Sequence, residues 1–275
     1  MKQYILETED LEFDYPDGTK ALRGVNIKIE QGKKVAVLGS NGAGKSTLFL
    51  HFNGIYEPSK GKIKYKGKDI GYRRADLMAL RKDIGIVFQD PDSQLFSASV
   101  FQEVSFGPMN LKLNKEEVER RVNKVMEETG ISLLRDKPTH FLSHGQKKRV
   151  CIADILAMEP EVIIFDEPTD SLDPMHTDDM MKLFDRLNEQ GKTIIFSTHD
   201  INRVYSWADY IFILKDGKVF SEGTSQQIFT DDILLQDAGL TKPWVLEVYE
   251  RLEKKGVIPK NLKAPKNKEE LFNMI

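Results

Sequence analysis

Residues 39–46 read GSNGAGKS, between the apolar run KKVAVLG (33–39) and the helix-forming stretch TLFLHFNG (47–54). A G-x-x-x-x-G-K-[ST] spacing between a strand and a helix restricts the chain to an α/β fold in which that strand is a buried member of a sheet. Gly39, Gly42 and Gly44 let the backbone turn its N–H groups inward around phosphates. Lys45 supplies a point charge for β- and γ-phosphates, and Ser46 a hydroxyl for Mg²⁺. The expected nucleotide site is therefore Gly39, Ser40, Asn41, Gly42, Ala43, Gly44, Lys45, Ser46 and Thr47. ATP and Mg²⁺ are the ligands it implies.

A second signal lies downstream. The apolar run EVIIF ends in Asp166 and Glu167. A carboxylate at the C-terminal end of a buried parallel strand points into the ligand crevice of such a sheet. Beside a phosphate loop, Asp166 is expected to orient Mg²⁺ through water and Glu167 to polarise an attacking water. A third is FLSHGQKKRV (141–150), where Ser143 and Gln146 have the spacing of a capping box. Lys147, Lys148 and Arg149 then put positive charge where the helix dipole is already positive. An anion would make sense of that placement; a solvated basic face accounts for at least two of the three.

The remaining pattern is mixed. Residues 4–30 alternate around the turn YPDGT as an antiparallel hairpin, and 57–70 read turn, strand, turn, strand. After IGIVF (84–88), the proline of QDPDSQ forces a bend. Residues 114–130 spell an amphipathic helix capped by Asn114, lined by Val118, Val122 and Met126 and stopped at Gly130. From Ser143 to about Ala157 a second helix follows, then strand VIIFD, helix 174–190, strand TIIFSTH and helix 200–207 in βαβ order. The lysine-rich 241–275 is expected to be a small appendage to a domain spanning 1–240, with a helical subdomain at about 90–160.

Composition narrows the partners. A net charge of −3 gives no electrostatic case for a nucleic-acid partner. The single cysteine, Cys151, excludes an internal disulfide. The apolar runs VIIF, TIIF and YIFIL are far too short to cross a bilayer, and MKQYILETEDLEF has no signal-peptide core. His140 and His144 form H-x-x-x-H, but His140 precedes the helix and no further ligand stands nearby, so no metal site is read there.

These motifs, in this order over roughly residues 3–235, resemble an ABC-transporter ATPase subunit. The phosphate loop is followed by Gln89 in VFQD, LSHGQ at 142–146, IIFDEP at 163–168, SLD at 171–173 and STHD at 197–200. The resemblance implies a P-loop ABC ATPase of α/β class. It would have a parallel core sheet, an N-terminal antiparallel β subdomain, a helical signature subdomain and a small C-terminal appendage. It further implies that Gln89 contacts Mg²⁺ and senses a transmembrane partner, that Asp173 lies across a dimer interface and that His199 contacts the γ-phosphate. Tyr15 stands where the adenine-stacking aromatic is expected. Ser143, Gly145 and Gln146 would serve the ATP held by a second subunit, identical or similar; His144 departs from the glycine usual there. DPDSQLF (90–96) resembles the extra helix of energy-coupling-factor ATPases, with Asp92 and Gln94 expected to shape a partner groove. FQEVSFGPMNL fits the same group, and LSHGQKKRV with LAMEPEV is most like cobalt and nickel importers. The implied partners are a transmembrane coupling protein and a substrate-binding membrane component, reached from the cytoplasmic face of the cell membrane. A vitamin importer is the alternative, and a soluble ABC ATPase not tied to transport is the rival of another class.

Overall fold

The computed structural model describes residues 3–170, 173–259 and 262–275. Alternation in the N-terminal segment becomes an antiparallel sheet of order β2-β1-β4-β5. It comprises β1 (Tyr4–Asp14), β2 (Lys20–Glu30), β4 (Lys60–Tyr65) and β5 (Lys68–Asp69). The second sheet has the order β10-β9-β3-β8-β7-β6. Its members are β3 (Lys34–Leu38), β6 (Ile84–Val87), β7 (Val162–Phe165), β8 (Thr193–Ser197), β9 (Tyr210–Lys215) and β10 (Lys218–Gly223).

The core sheet is mixed rather than wholly parallel. β3, β6, β7, β8 and β9 run parallel, whereas β10 pairs antiparallel with β9. The cause is local: Asp216 (φ 50°) and Gly217 (φ 75°) are both left-handed, as a two-residue hairpin turn requires. Period-two alternation divides the strands between two apolar clusters. Ile163 and Phe165 of β7 face one cluster, Val162 and Ile164 the other.

Helices cover the sheets. α1 (Lys45–Phe52) follows β3, and α2 (Arg74–Asp83) precedes β6. The signature region packs α3 (Val100–Asn110), α4 (Lys115–Glu128) and α5 (His144–Ala157) against one another. On α4, Val118, Val122, Val125 and Met126 are buried and the Asn114 side chain caps the start, as the sequence implies. DPDSQLF forms a single 3-10 turn, Pro91–Ser93, capped by Asp90, instead of a longer helix; Pro91 at its first position is buried. α6 (Pro174–Glu189) and α7 (Ile201–Trp207) flank β8 in βαβ order. The chain ends with α8 (Ser225–Phe229), α9 (Asp232–Ala238), α10 (Trp244–Lys254) and α11 (Lys268–Phe272). Leu246, Tyr249, Ile258 and Leu271 join the same apolar cluster as Tyr205 and Phe229. Among the described residues no helix is long and apolar enough to cross a membrane.

Candidate active site

The loop between β3 and α1 is shaped by close approach. A Cβ on Gly39 would stand 2.4 Å from the Leu214 carbonyl oxygen, and one on Gly44 2.8 Å from that of Ala21. Only glycine lets the backbone pass these points. α1 starts after Gly44 with no side-chain cap and no acidic residue in its first turn. Its leading amides therefore form an anion site with no competing side chain. Ser40, Asn41, Gly42 and Ser46 are exposed along the mouth, while Ala43, Lys45 and Thr47 are buried.

Lys45 lies across the loop. Its Nζ donates to Gly39 O at 2.7 Å and Ser40 O at 3.2 Å, and stands 3.7 Å from Glu167 Oε1. Tyr15 is half-buried, with its hydroxyl 2.9 Å from Thr47 Oγ1 and its ring edge-on to Phe13 and Tyr56. The aromatic expected for adenine thus adjoins the phosphate loop.

The strand-end carboxylates converge on the same place. The hydroxyl of Ser197, at the end of β8, donates to Asp166 Oδ1 at 2.6 Å and accepts the Glu167 N–H at 2.9 Å. One residue of the neighbouring strand therefore orients both acids. Glu167 is buried and has φ 47°, a left-handed conformation costing a non-glycine residue roughly 1–2 kcal/mol. Its Oε1 lies 2.8 Å from Nε2 of the exposed His199. Burial pushes the Glu167 carboxyl above the ordinary value, against the opposing pull of His199 and then Lys45; Asp166 and Asp170 add to the rise. A carboxylate so tuned is a stronger base at neutral pH. Gln89 is exposed and its amide reaches Asp170 Oδ2 at 3.5 Å.

Lys147 and Lys148 of α5 have other tasks than a field at its N-terminus. Lys148 is only 3% exposed. Its Nζ donates to Asp170 O at 2.5 Å and to Glu167 O and Pro168 O at 3.4 Å, clamping the turn after β7. Burial lowers its pKa. Lys147 pairs with Asp92 at 2.5 Å. Lys148 is thus buried and Lys147 ion-paired, so neither is a freely solvated charge.

Ser143 and Gln146 form the capping box that their spacing implies, and Gly145 follows in the first turn of α5. Among the described residues, the contacts of Ser143 and Gln146 are with each other and not with the phosphate loop. Gln94 departs from its expected place in an external groove: its side chain turns inward to α5, and Asp92 is tied to the same helix. Asp173 caps α6, accepting from the His176 N–H at 3.0 Å. Ser171 and Leu172 of SLD lie outside the described residues.

The oxygen donors expected for Mg²⁺ are a hydroxyl (Ser46), an amide (Gln89) and a carboxylate (Asp166). Hard oxygen donors in small number suit an ion that shares its coordination with phosphates and water. Two contributors escaped the sequence reading. Ser197 could have been found from the register, since Phe196 lies beside Phe165 and places Ser197 next to Asp166. Lys148 could not, because three consecutive basic residues give no sign of which one is buried.

Comparison with known proteins identifies the family and the fold. The ABC transporter family profile matches residues 22–170. The energy-coupling factor transporter ATP-binding protein EcfA of Methanocaldococcus jannaschii is 52% identical over 256 residues, covering 93% of this chain and 92% of that protein. The structure of cbiO1 from Clostridium perfringens, described as part of the ABC transporter complex cbiONQ, is 49% identical with a TM-score of 0.76, covering 90% of this chain and all (100%) of that one. A dimeric ATP-binding cassette in a post-hydrolysis state, bound to ADP and Pi, is 30% identical with a TM-score of 0.74, covering 80% of this chain and 99% of that one.

Proposed function

The chain belongs to the ABC transporter family, as the ATP-hydrolysing subunit of an energy-coupling-factor transporter, and on that premise we propose how its residues divide the work. Gly39 to Thr47 cradle the phosphates of ATP and Tyr15 stacks on the adenine. Mg²⁺, which Ser46, Gln89 and, through water, Asp166 would hold, supplies charge neutralisation at the phosphates. Glu167 accepts a proton from the attacking water. Lys45 and His199 stabilise charge developing on the γ-phosphoryl oxygens. The observation that carries this reading is the buried Glu167 carboxylate, 2.8 Å from His199 Nε2 and 3.7 Å from Lys45 Nζ.

Ser143, Gly145 and Gln146 serve the ATP bound by a second ATPase subunit, identical or similar. Two chains then enclose two nucleotides, with Asp173 at their interface. The dimeric cassette among the structural relatives supports this arrangement. The membrane face is the surface where Phe96 (66% exposed) packs edge-on against Phe106 and Met109 is 64% exposed, next to the Gln89 segment. Exposed aromatic and Met side chains grouped in this way suit an apolar partner helix. The chain acts on the cytoplasmic face of the cell membrane, peripherally, joined to a transmembrane coupling protein and a substrate-binding component.

Cobalt or nickel ions are the proposed cargo, on the resemblance of LSHGQKKRV and LAMEPEV to those importers. Affinity purification from detergent-solubilised membranes tests the assembly. Recovery with two membrane proteins supports it, and an active ATPase that comes out alone favours the soluble rival. Uptake of labelled cobalt or nickel by vesicles holding the complex, against uptake of a vitamin, decides the cargo.

A further inference from the structure

The segment 90–96 leads from Gln89 to the exposed Phe96, and it is fastened along α5 at three levels. Lys147 Nζ lies 2.5 Å from Asp92 Oδ1. The Cys151 thiol donates to Pro91 O at 3.8 Å. Gln94 Nε2 donates to Cys151 O at 3.3 Å and reaches Asp154 Oδ2 at 3.5 Å, while Gln94 Oε1 accepts the Phe88 N–H at 3.1 Å. Lys147, Cys151 and Asp154 are spaced i, i+4, i+7, which is one face of a helix. The rod carrying this face begins directly after Ser143 and is about 20 Å long.

We propose that Gln94 and Asp154 are positioning residues for ATP hydrolysis: they fasten segment 90–96 to α5, so that a displacement at the membrane-partner surface reaches Ser143 as movement of the whole helix. The proposal rests on reading Ser143 as a phosphate contact. Gln94 is the crosspiece, since one amide group joins the end of β6 to the middle of α5.

Asp154 makes the fastening conditional. Glu103 of α3 is fully buried; its Oε2 accepts from the Phe96 N–H at 3.0 Å and the Ser97 N–H at 2.6 Å, and its Oε1 is buried with no hydrogen-bond partner among the described residues. Burial and this second acid push the Asp154 carboxyl up to about 7, against the Gln94 bond that lowers it. The other titratable groups nearby are Cys151 on the same helix and Asp92 with its partner Lys147. β6 (Ile84–Val87) carries no charged residue, and Arg121 of α4 is tied to Glu117 and Glu159. Below about pH 7 Asp154 is neutral; above it, the carboxylate carries a charge that burial and Glu103 disfavour by more than its Gln94 bond favours it, and the fastening weakens.

The test is hydrogen exchange and ATPase kinetics on the full-length chain, at pH 6 and pH 8, with exchange corrected for its intrinsic pH dependence. In wild type, residues 90–97 and 143–147 lose protection together, by about tenfold between the two pH values, the equivalent of about one hydrogen bond. Asp154→Asn, a neutral isostere, stays protected at both, and the ratio of its kcat to that of wild type rises from pH 6 to pH 8, a comparison in which the shared titration of Glu167 cancels. Gln94→Leu is unprotected in both segments at either pH, with lowered kcat and an unchanged KM for ATP. Protection of 162–165 stays constant throughout, which separates loosening from unfolding. The proposal is overturned if Asp154→Asn keeps the wild-type pH dependence, if 90–97 loosens without 143–147, or if Gln94→Leu leaves kcat intact. Failure of the Ser143 assignment itself is read separately, in the mixing experiment of the Discussion.

Discussion

α1 and α5 each present a helix N-terminus, and they finish it in opposite ways. α1 begins after Gly44, which has no side chain to cap it. α5 begins with a closed box: the Gln146 N–H donates to Ser143 Oγ at 3.3 Å, and the Ser143 N–H donates to Gln146 Oε1 at 3.0 Å. An open end accepts an anion without giving up an existing bond. A capped end must exchange its own bonds first, a cost of about 1 kcal/mol. The open end therefore suits the primary phosphate site, and the capped end suits a contact made only when a second chain delivers the phosphate already bound. The difference between the two ends lies in one capping box, present on α5 and absent from α1.

The largest effect should come from the open site. Glu167→Gln is expected to lower turnover by about 10²–10⁴-fold while ATP binding is retained. Steady-state hydrolysis and equilibrium binding of a labelled ATP check this. Because burial raises the Glu167 pKa and the base acts ionised, wild-type turnover should fall on acidification at a pH above the usual carboxylate range. Wild-type rates for Glu167→Gln would remove the residue from its role.

The capped site is sharpened by mixing. Lys45→Ala and Ser143→Arg chains should each be inactive alone. If the two motifs complete each other across a dimer, mixed dimers hold one intact site, and random pairing restores about a quarter of wild-type ATPase. A site completed within one chain restores nothing. The smallest effect probes the cap itself: Ser143→Ala should lose about 1 kcal/mol of stability to urea, with Ser143→Thr close to wild type. An unchanged midpoint for Ser143→Ala would mean the box holds nothing in the free chain.

What the sequence reveals depends on how local the determinant is. The phosphate loop, the Asn114 cap and the Ser143–Gln146 box are written within four to nine residues, and all three form where their spacing says. The antiparallel β10 was also legible, because Asp216-Gly217 between apolar runs is a strong hairpin signal that the βαβ pattern overshadowed. α2 was not: only Leu80 is buried, so its sequence shows little helical periodicity. The inward turn of Gln94 and the burial of Lys148 depend on residues 57 and 22 positions away. Polar side chains of this kind choose partners by three-dimensional proximity, which no local pattern encodes.

Cys151, the chain's single cysteine, lies buried beneath the 3-10 turn, with its thiol directed at Pro91 O and its pKa pushed up by burial. A protonated thiol sheltered in this way is a poor nucleophile toward alkylating reagents. It nevertheless sits at the middle level of the ladder between segment 90–96 and α5. Its modification rate should therefore report how often that segment lifts, giving the protein a native gauge for strain passing through it.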